Sequence, residues 1–515
     1  KIITLEDQRK ALQLETESLQ NERNLKSKAV GRAKAAGEDV SEILSGMDEL
    51  KSKLEKILPA SAFPEISEKF MTEPRGLYQG IVGTLVAPDS TDQVSQIIFV
   101  AAQAGVAVVP FGGGTGLVGG QVLPKSQGGV PAPIVLSLSR MRKVRQCYPK
   151  ENVLEVEAGV TLAEVQAEAA KVDRAFPLSI ASEGTAQIGG ILATNAGGVN
   201  VLRYGMARDQ VFGIEAVMAD GKILNGSTRL RKDNTGYDLR HLLIGSEGTL
   251  GIITSASLKL SQRPISEATA LFSVESPTSA LELLNRTKMI VGEGISAFEL
   301  ISGQGLKFVS EKFPQIRQPW LKPPDWSVLL HLGFATGLQA EQVIDELYQN
   351  AADLILDGVI SQSKQQSKDF WSLREAIPAA NKAIGAICSF DISVPLSEIP
   401  NFIRRAGDCV KRLGKMRINC FGHLGDGNLH YNIFPYSGVS SKDYAKVNEV
   451  LESELYSLIY EMDGSISAEH GIGRHKVKHL KDFCDPVKMT VMRSVKQALD
   501  PVGILNPGVL MSDLY

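Results

Sequence analysis

Glycine in three places limits what this chain can become. PFGGGTGLVGG over residues 110–120, SEGTAQIGGILATNAGG over 182–198 and IGSEGTLGIIT over 244–254 fall within 145 residues, with strand-like runs such as VLEVEAGV and GIEAVMADGKIL between them. Segments so rich in glycine do not propagate long helices, but their backbones reach positive φ and can turn successive N–H groups toward one anion. Three of them suggest one extended ligand, such as a dinucleotide, laid across several loops. The string from Gly114 to Gly119 formally satisfies G-x-G-x-x-G, which predicts a loop that opens a helix and an acid about 20 residues further on. Neither holds. Pro124, Pro131 and Pro133 with Gly128 and Gly129 argue against a long helix there, and no Asp or Glu lies between Asp92 and Glu151.

Charge and cysteine narrow the function classes. The 55 basic and 58 acidic side chains leave a net charge of -3, so no global basic field points the chain toward nucleic acid. No run approaches the roughly 20 apolar residues of a membrane span, and the start KIITLEDQRK is not the apolar core of a signal peptide. Cys147, Cys388, Cys409, Cys420 and Cys484 are scattered without C-x-x-C, so neither a disulfide framework nor a cysteine-ligated cluster is indicated. A reducing compartment is expected.

The first 58 residues differ from the rest. They hold 11 basic and 11 acidic residues and no Pro, Cys, His or aromatic residue. Leu5, Leu12 and Leu19 repeat at seven, and Ile43, Met47, Leu50, Leu54 and Ile57 at three and four, which predicts two amphipathic helices. Gly31 and Gly37, followed by Asp39 or Ser41 as caps, predict a reversal into an antiparallel hairpin ended by Pro59. The wording QRKALQLETESLQNERNLKSKAVGRAKAAGEDVSEI resembles the N-terminal coiled-coil arm of seryl-tRNA synthetases, which implies a tRNA-touching arm. Its charges cancel, and nothing later resembles a class II synthetase core. The hairpin is therefore read as a helical spacer, with a tRNA-binding module as the alternative.

Seven histidines serve the chain, and His423, His430, His470, His475 and His479 fall within 57 residues. In GHLGDGNLHYNI, Gly425-Asp426-Gly427 is a turn signal that folds two short strands together and brings His423 and His430 toward one point, with Asp426 read as a turn residue. Thirty-nine residues later, SISAEHGIGRHK supplies Glu469 beside His470. Two imidazoles and a carboxylate make a borderline site for Zn²⁺ or Mn²⁺ with positions left for water or substrate. His475 and His479 are assigned to a solvated helix face.

PFGGGTGLVGG, VEAGVTLAEV, ILATNAGGVNVLRYGMARD, LRKDNTGYDLRHLLIGSEGTLGIIT and LDPVGILNPG resemble the FAD-linked 2-hydroxy-acid dehydrogenases of the vanillyl-alcohol-oxidase superfamily. The likeness runs from about residue 60 to 515 and takes in D-lactate dehydrogenases, the glycolate oxidase flavin subunit and D-2-hydroxyglutarate dehydrogenase. It implies FAD with its pyrophosphate on the backbone of Gly112, Gly113, Gly114, Thr115 and Gly116. Further contacts would come from Gly184, Thr185, Gly189, Asn195, Gly197 and Gly198, from Glu247, Thr249 and Ile253 near the adenine half, and from Asn506. Some members attach FAD through a histidine beside the loop; Thr115 stands here, so dissociable FAD is expected. The resemblance also implies His423, His430 and Glu469 as metal ligands, His470 as the general base, and Asn432 and Arg374 as substrate contacts, with Arg374 taking a carboxylate. Relatives that bind a second carboxylate carry Lys where Ser389 stands and a hydroxyl residue at Pro378.

The expected reaction is oxidation of a D-2-hydroxy acid, D-2-hydroxyglutarate or D-lactate, to the 2-oxo acid, with a glycolate-oxidase-type subunit as an alternative. The electron acceptor leaves no motif. A cytoplasmic enzyme is expected, or one peripheral at the inner membrane if the acceptor is a quinone, and a homodimer is compatible with the sequence. The fold class expected is α+β: the hairpin over 1–58, an FAD-binding domain of the vanillyl-alcohol-oxidase type over 59–265, an α+β substrate and metal domain over 266–480 with LQAEQVIDELYQNAADLIL as one helix, and a segment 481–515 that returns to the FAD domain.

Overall fold

In a computed structural model, the structure describes residues 50–125, 132–335 and 337–511. Most of the expected hairpin lies outside these residues; of it, residues 50–57 are seen, and they are helical. A small parallel sheet follows, built from β1 (Thr84–Val86), β2 (Val108–Phe111) and β3 (Ile134–Ser137) in the order β1-β3-β2. The helix Thr91–Ala104 crosses between β1 and β2. Ser90 caps its start by accepting from the N–H of Gln93, and Gly105 ends it in the left-handed region at φ 63°. Its apolar stripe of Val94, Ile97, Ile98 and Ala101 is buried in the same core as Leu50, Leu54 and Leu58, which are 1%, 0% and 5% exposed. The end of the expected spacer is thus part of the core beneath the parallel sheet.

Strands β4 (Val144–Tyr148), β5 (Val153–Glu157), β7 (Val211–Val217), β8 (Ile223–Gly226) and β9 (Ile252–Lys259) form an antiparallel sheet in the order β4-β5-β9-β7-β8. The central strand β9 is buried along nearly its whole length and the edge strand β4 is largely exposed. Beside it, β6 (Arg174–Ala175) pairs with β10 (Ser261–Gln262).

The third sheet has seven antiparallel strands: β11 (Ser266–Val274), β12 (Ile295–Ser302), β13 (Trp326–Phe334), β14 (Ile355–Ile360), β15 (Cys388–Ser393), β16 (Met416–His423) and β17 (Asn428–Pro435). Their order is β14-β11-β13-β12-β16-β17-β15. Period-two alternation gives this sheet two faces. Phe298, Leu300, Leu429, Tyr431, Ile433, Phe390 and Ile392 join a core with residues of the helices Pro277–Val291, Ala340–Asn350, Ile399–Leu413 and Ala445–Glu461. The intervening positions face the other way, where the helices Gly303–Lys312 and Lys364–Ile384 contribute Leu306, Phe308, Leu373 and Ile377 to a second core with Phe421 and Phe434. The single helix expected over 338–356 is corrected: it stops at Asn350, and Ile355–Ile360 is the edge strand β14 paired with β11. Strand pairing outweighs the local helical pattern there.

The helix Pro486–Leu499 and the turn after it return to the nucleotide side. The Lys496 ammonium is buried and donates to Asp500 and to the carbonyls of Thr249 and Leu505, and the N–H of Asn506 donates to Val108 on β2. No helix among the described residues is long and apolar enough to cross a membrane.

Candidate active site

The polar positions of the seven-stranded sheet converge because of register. Glu299 on β12 pairs with His423 on β16, Phe421 pairs with His430 on β17, and Asp391 on β15 pairs with His430. The turn expected at Gly425-Asp426-Gly427 is present as a 3₁₀ turn over Leu424–Asp426, closed by Gly427 at φ 82°, and the imidazoles of His423 and His430 come to 5.7 Å between ring centroids. Glu469 enters from a loop, with Oε1 3.6 Å from Nε2 of His423 and Oε2 3.6 Å from Nε2 of His430. One ligand atom from each of these three residues lies within 4.8 Å of the others. Two nitrogens and one carboxylate oxygen at that spacing suit a divalent cation of the Zn²⁺ or Mn²⁺ kind. His470 stacks 6.0 Å from the His430 ring.

Two carboxylates behind these residues escaped the sequence reading. Asp391 is buried, and its Oδ2 accepts from the backbone N–H groups of Glu469 and His470 at 3.0 and 2.9 Å while lying 3.4 Å from Nδ1 of His470. Its Oδ1 accepts from Asn428. Burial works against ionisation of Asp391, but His470 and His430 outweigh it and hold the carboxyl below the usual range. Glu299, 0% exposed, accepts from Arg374 Nε at 2.9 Å, and its other oxygen lies 2.6 Å from Nδ1 of His423. Burial is again overcome, by His423 and Arg374, which bring Glu299 down to about 2. The signal that could have found both is a carboxylate placed inside an apolar strand, ISAFELIS and CSFDIS.

The two histidines of this cluster respond in opposite directions. Burial pushes His430 down to about 4, leaving it neutral and able to ligate at neutral pH. For His423 burial has the same sense, but Glu299 and Glu469 outweigh it and raise the ring. Glu469 is lowered despite burial by the histidines around it, and Asp426, at the turn, is pushed up to about 7 by burial.

The glycine loops meet this cluster from the other side. Gly198 donates its N–H to Oε1 of Glu469 at 2.6 Å, and a Cβ on Gly197 would come within 2.8 Å of that oxygen. The loops over 112–116 and 182–186 touch so closely that a Cβ on Gly113 would lie 2.0 Å from the carbonyl oxygen of Thr185. Among the described residues, nothing accepts from the backbone N–H groups of Gly113, Gly114, Thr115 and Gly116. The buried Oε1 of Gln187, 3.8 Å from where a Cβ of Gly112 would stand, has no partner either. Unmatched donors in a glycine cradle fit the pyrophosphate of a dinucleotide. Gly184 and Thr185 are exposed beside this cradle, and Gly189 packs on Ala158. The other predicted cofactor side chains are engaged by protein. Asn195 accepts from Arg208, Glu247 accepts from the N–H groups of Ile472 and Gly473, the Thr249 hydroxyl donates to Ser246, Asn506 joins Glu247 and Arg474, and Ile253 is buried in a hydrophobic core. These side chains hold the loops in place.

Comparison with known proteins decides the family. An FAD binding domain matches residues 83–227, and the C-terminal domain of FAD linked oxidases matches 263–510. The mitochondrial D-2-hydroxyglutarate dehydrogenase of Arabidopsis thaliana is 35% identical over 437 residues, covering 84% of this chain and 75% of that one. The chain belongs to the FAD-linked oxidases. A D-2-hydroxyglutarate–pyruvate transhydrogenase of Saccharomyces cerevisiae is 32% identical to this FAD-linked oxidase over 467 residues, 88% of this chain and 91% of that one. The solved structure of p-cresol methylhydroxylase with substrate bound shares the oxidase's fold, with a TM-score of 0.69 over 90% of this chain and 96% of that one, at 15% identity. Residues 1–67 match the seryl-tRNA synthetase N-terminal domain, as the wording of the first 58 residues suggests. The oxidase is thus an FAD-dependent oxidoreductase of α+β architecture.

Arg374 and Asn432 both lie in the oxidase's site region. The Arg374 guanidinium sits 4.7 Å over the Phe421 ring and pairs with Glu299 through Nε and Nη2, and Asn432, nearly buried, lies in register with Asn419 on one side and Ser389 on the other. His475 and His479 require correction. His475 precedes the helix Val477–Phe483 and packs edge-on against Tyr78, beside Gly119 of the glycine loop and 3.9 Å from the buried carboxylate of Glu73. His479 packs on Tyr456 at 4.4 Å. A histidine therefore stands beside the glycine loop in space, although none does in sequence.

Proposed function

We propose that the enzyme oxidises a D-2-hydroxy acid, D-2-hydroxyglutarate or D-lactate, to its 2-oxo acid, with His423, His430 and Glu469 as ligands of a divalent metal and His470 as the base. The observation that carries this reading is the convergence of those three ligands beside a histidine fixed by Asp391. FAD, when bound, supplies the hydride acceptor, and the metal supplies a Lewis acid that makes the 2-hydroxyl more acidic. His470 receives the hydroxyl proton as the general base. Asp391 orients that ring by facing Nδ1 and by holding the backbone of residues 469 and 470. Arg374 keeps Nη1 without an acceptor among the described residues, so it can take an oxygen of the substrate carboxylate while Glu299 fixes its other edge. Asn432 offers an amide from the neighbouring strand. The names of the relatives support a D-2-hydroxy acid as the substrate class.

The test is anaerobic bleaching of the bound flavin by a panel of D- and L-2-hydroxy acids. Bleaching by D-lactate or D-2-hydroxyglutarate is expected, slowed by about 10²-fold or more in His470→Asn and by verified removal of the metal. Bleaching by none of the panel would overturn the reading. An undiminished rate in His470→Asn would remove His470 as the base.

A further inference from the structure

Glu299 bridges the His423–His430–Glu469 cluster and Arg374 through its two separate oxygens: Oε1 lies 2.6 Å from Nδ1 of His423, and Oε2 lies 2.9 and 2.7 Å from Nε and Nη2 of Arg374. The carboxylate has no solvent exposure. It sits on β12 directly across from His423, whereas Arg374 comes from the separate helix Lys364–Ile384. A buried charge is costly unless every lone pair is matched, and replacement by apolar residues is often no less stable. Burial of this kind points to a positional role. Because Nδ1 of His423 faces Glu299, its Nε2 is the nitrogen turned toward Glu469, the arrangement by which a carboxylate behind a histidine fixes the ring that ligates a metal.

We infer that Glu299 is a positioning residue that locks His423 and Arg374 into one register, so that the metal and the substrate carboxylate are held at a set separation. The inference rests on the metal-assisted reading above. Glutamine cannot replace the carboxylate, because its single oxygen can accept from His423 or from Arg374 but its NH₂ opposes whichever donor remains. Aspartate keeps the charge but is one methylene too short to span both.

The test uses the FAD-loaded enzyme, with Zn²⁺ as the metal probe and D-lactate and D-2-hydroxyglutarate as substrates. Glu299→Gln is expected to raise the Kd for Zn²⁺ by roughly 10- to 100-fold and to raise KM for the hydroxy acid, with flavin content unchanged. Arg374→Lys is expected to raise KM while leaving the Kd for Zn²⁺ within about twofold, because only the substrate side of the lock is changed. Should Glu299→Gln fail to fold, Glu299→Asp carries the same pair of expectations. The inference is overturned if the folded variant shifts KM alone, Zn²⁺ affinity alone, or neither. His423→Asn separates this from the reading beneath it: wild-type Zn²⁺ affinity in that variant would show that the metal assignment itself is wrong.

Discussion

Single residues set what this site can recognise. Ser389 is exposed on the edge strand β15, on the site side of the sheet, in register with Asn432 and two residues from Asp391. Its hydroxyl has no charge with which to hold a second carboxylate, so in the proposed reaction the binding of an anionic substrate falls to Arg374. Ser389→Lys places an ammonium on that face. One charge-assisted hydrogen bond is worth about 1.5–3 kcal/mol, so the variant is expected to raise kcat/KM for D-2-hydroxyglutarate relative to D-lactate by roughly 10- to 100-fold. Steady-state kinetics with the two acids checks this, and an unchanged ratio would place residue 389 outside the distal pocket.

At the scale of elements, the best-read segment was the histidine hairpin. The alternation Leu429, His430, Tyr431, Asn432, Ile433 states which side chains face the helices and which face the site, and Gly425-Asp426-Gly427 marks the turn. The second predicted helix is legible only in part. Its spacing of three and four through Leu50, Leu54 and Ile57 predicts an amphipathic helix, but spacing does not name the partner: Leu50, Leu54 and Leu58 pack under the parallel sheet with Val94 and Ile97, while Ile57 is 41% exposed. Leu54→Ala is therefore expected to destabilise the FAD-binding part by about 2–5 kcal/mol, as for other buried leucines, measured by urea unfolding followed through flavin release. A loss below about 0.5 kcal/mol would return that helix to the role of a detachable spacer.

Across the whole molecule, the glycine loops and the loop that carries Glu469 and His470 are tied together by residues that sequence patterns do not connect. Glu247 receives two N–H groups from residues 472 and 473, Gly198 donates to Glu469, and Arg474 donates to the carbonyls of Gly119, Gly120 and Pro507 and to the side chain of Asn506. One arginine thus joins the glycine loop, the loop after Glu469 and the C-terminal turn. Arg474→Met removes these donors and leaves buried oxygens unmatched. The expected result is a loss of at least about 1.5–3 kcal/mol, one charge-assisted hydrogen bond's worth, together with weaker retention of FAD on dilution. Wild-type retention would show that the three loops hold their places without it.

By itself the sequence determined the local facts: glycine loops that present backbone to an anion, the failure of the G-x-G-x-x-G string as a helix-opening turn, and a histidine hairpin followed by Glu469-His470. Each depends on residues close in the chain, whose conformational limits are set by their own side chains. The tertiary structure alone decided which distant groups stand behind them. Glu299 lies 124 positions before His423, Asp391 lies 79 before His470, and Glu247 lies 225 before Ile472. His475 reaches the glycine loop by tertiary packing too. Strand register brings His423 to Glu299, and register between strands this far apart is fixed by packing on both faces of the sheet, whereas Asp391 and Glu247 meet their partners where the loop over 469–473 folds back on them.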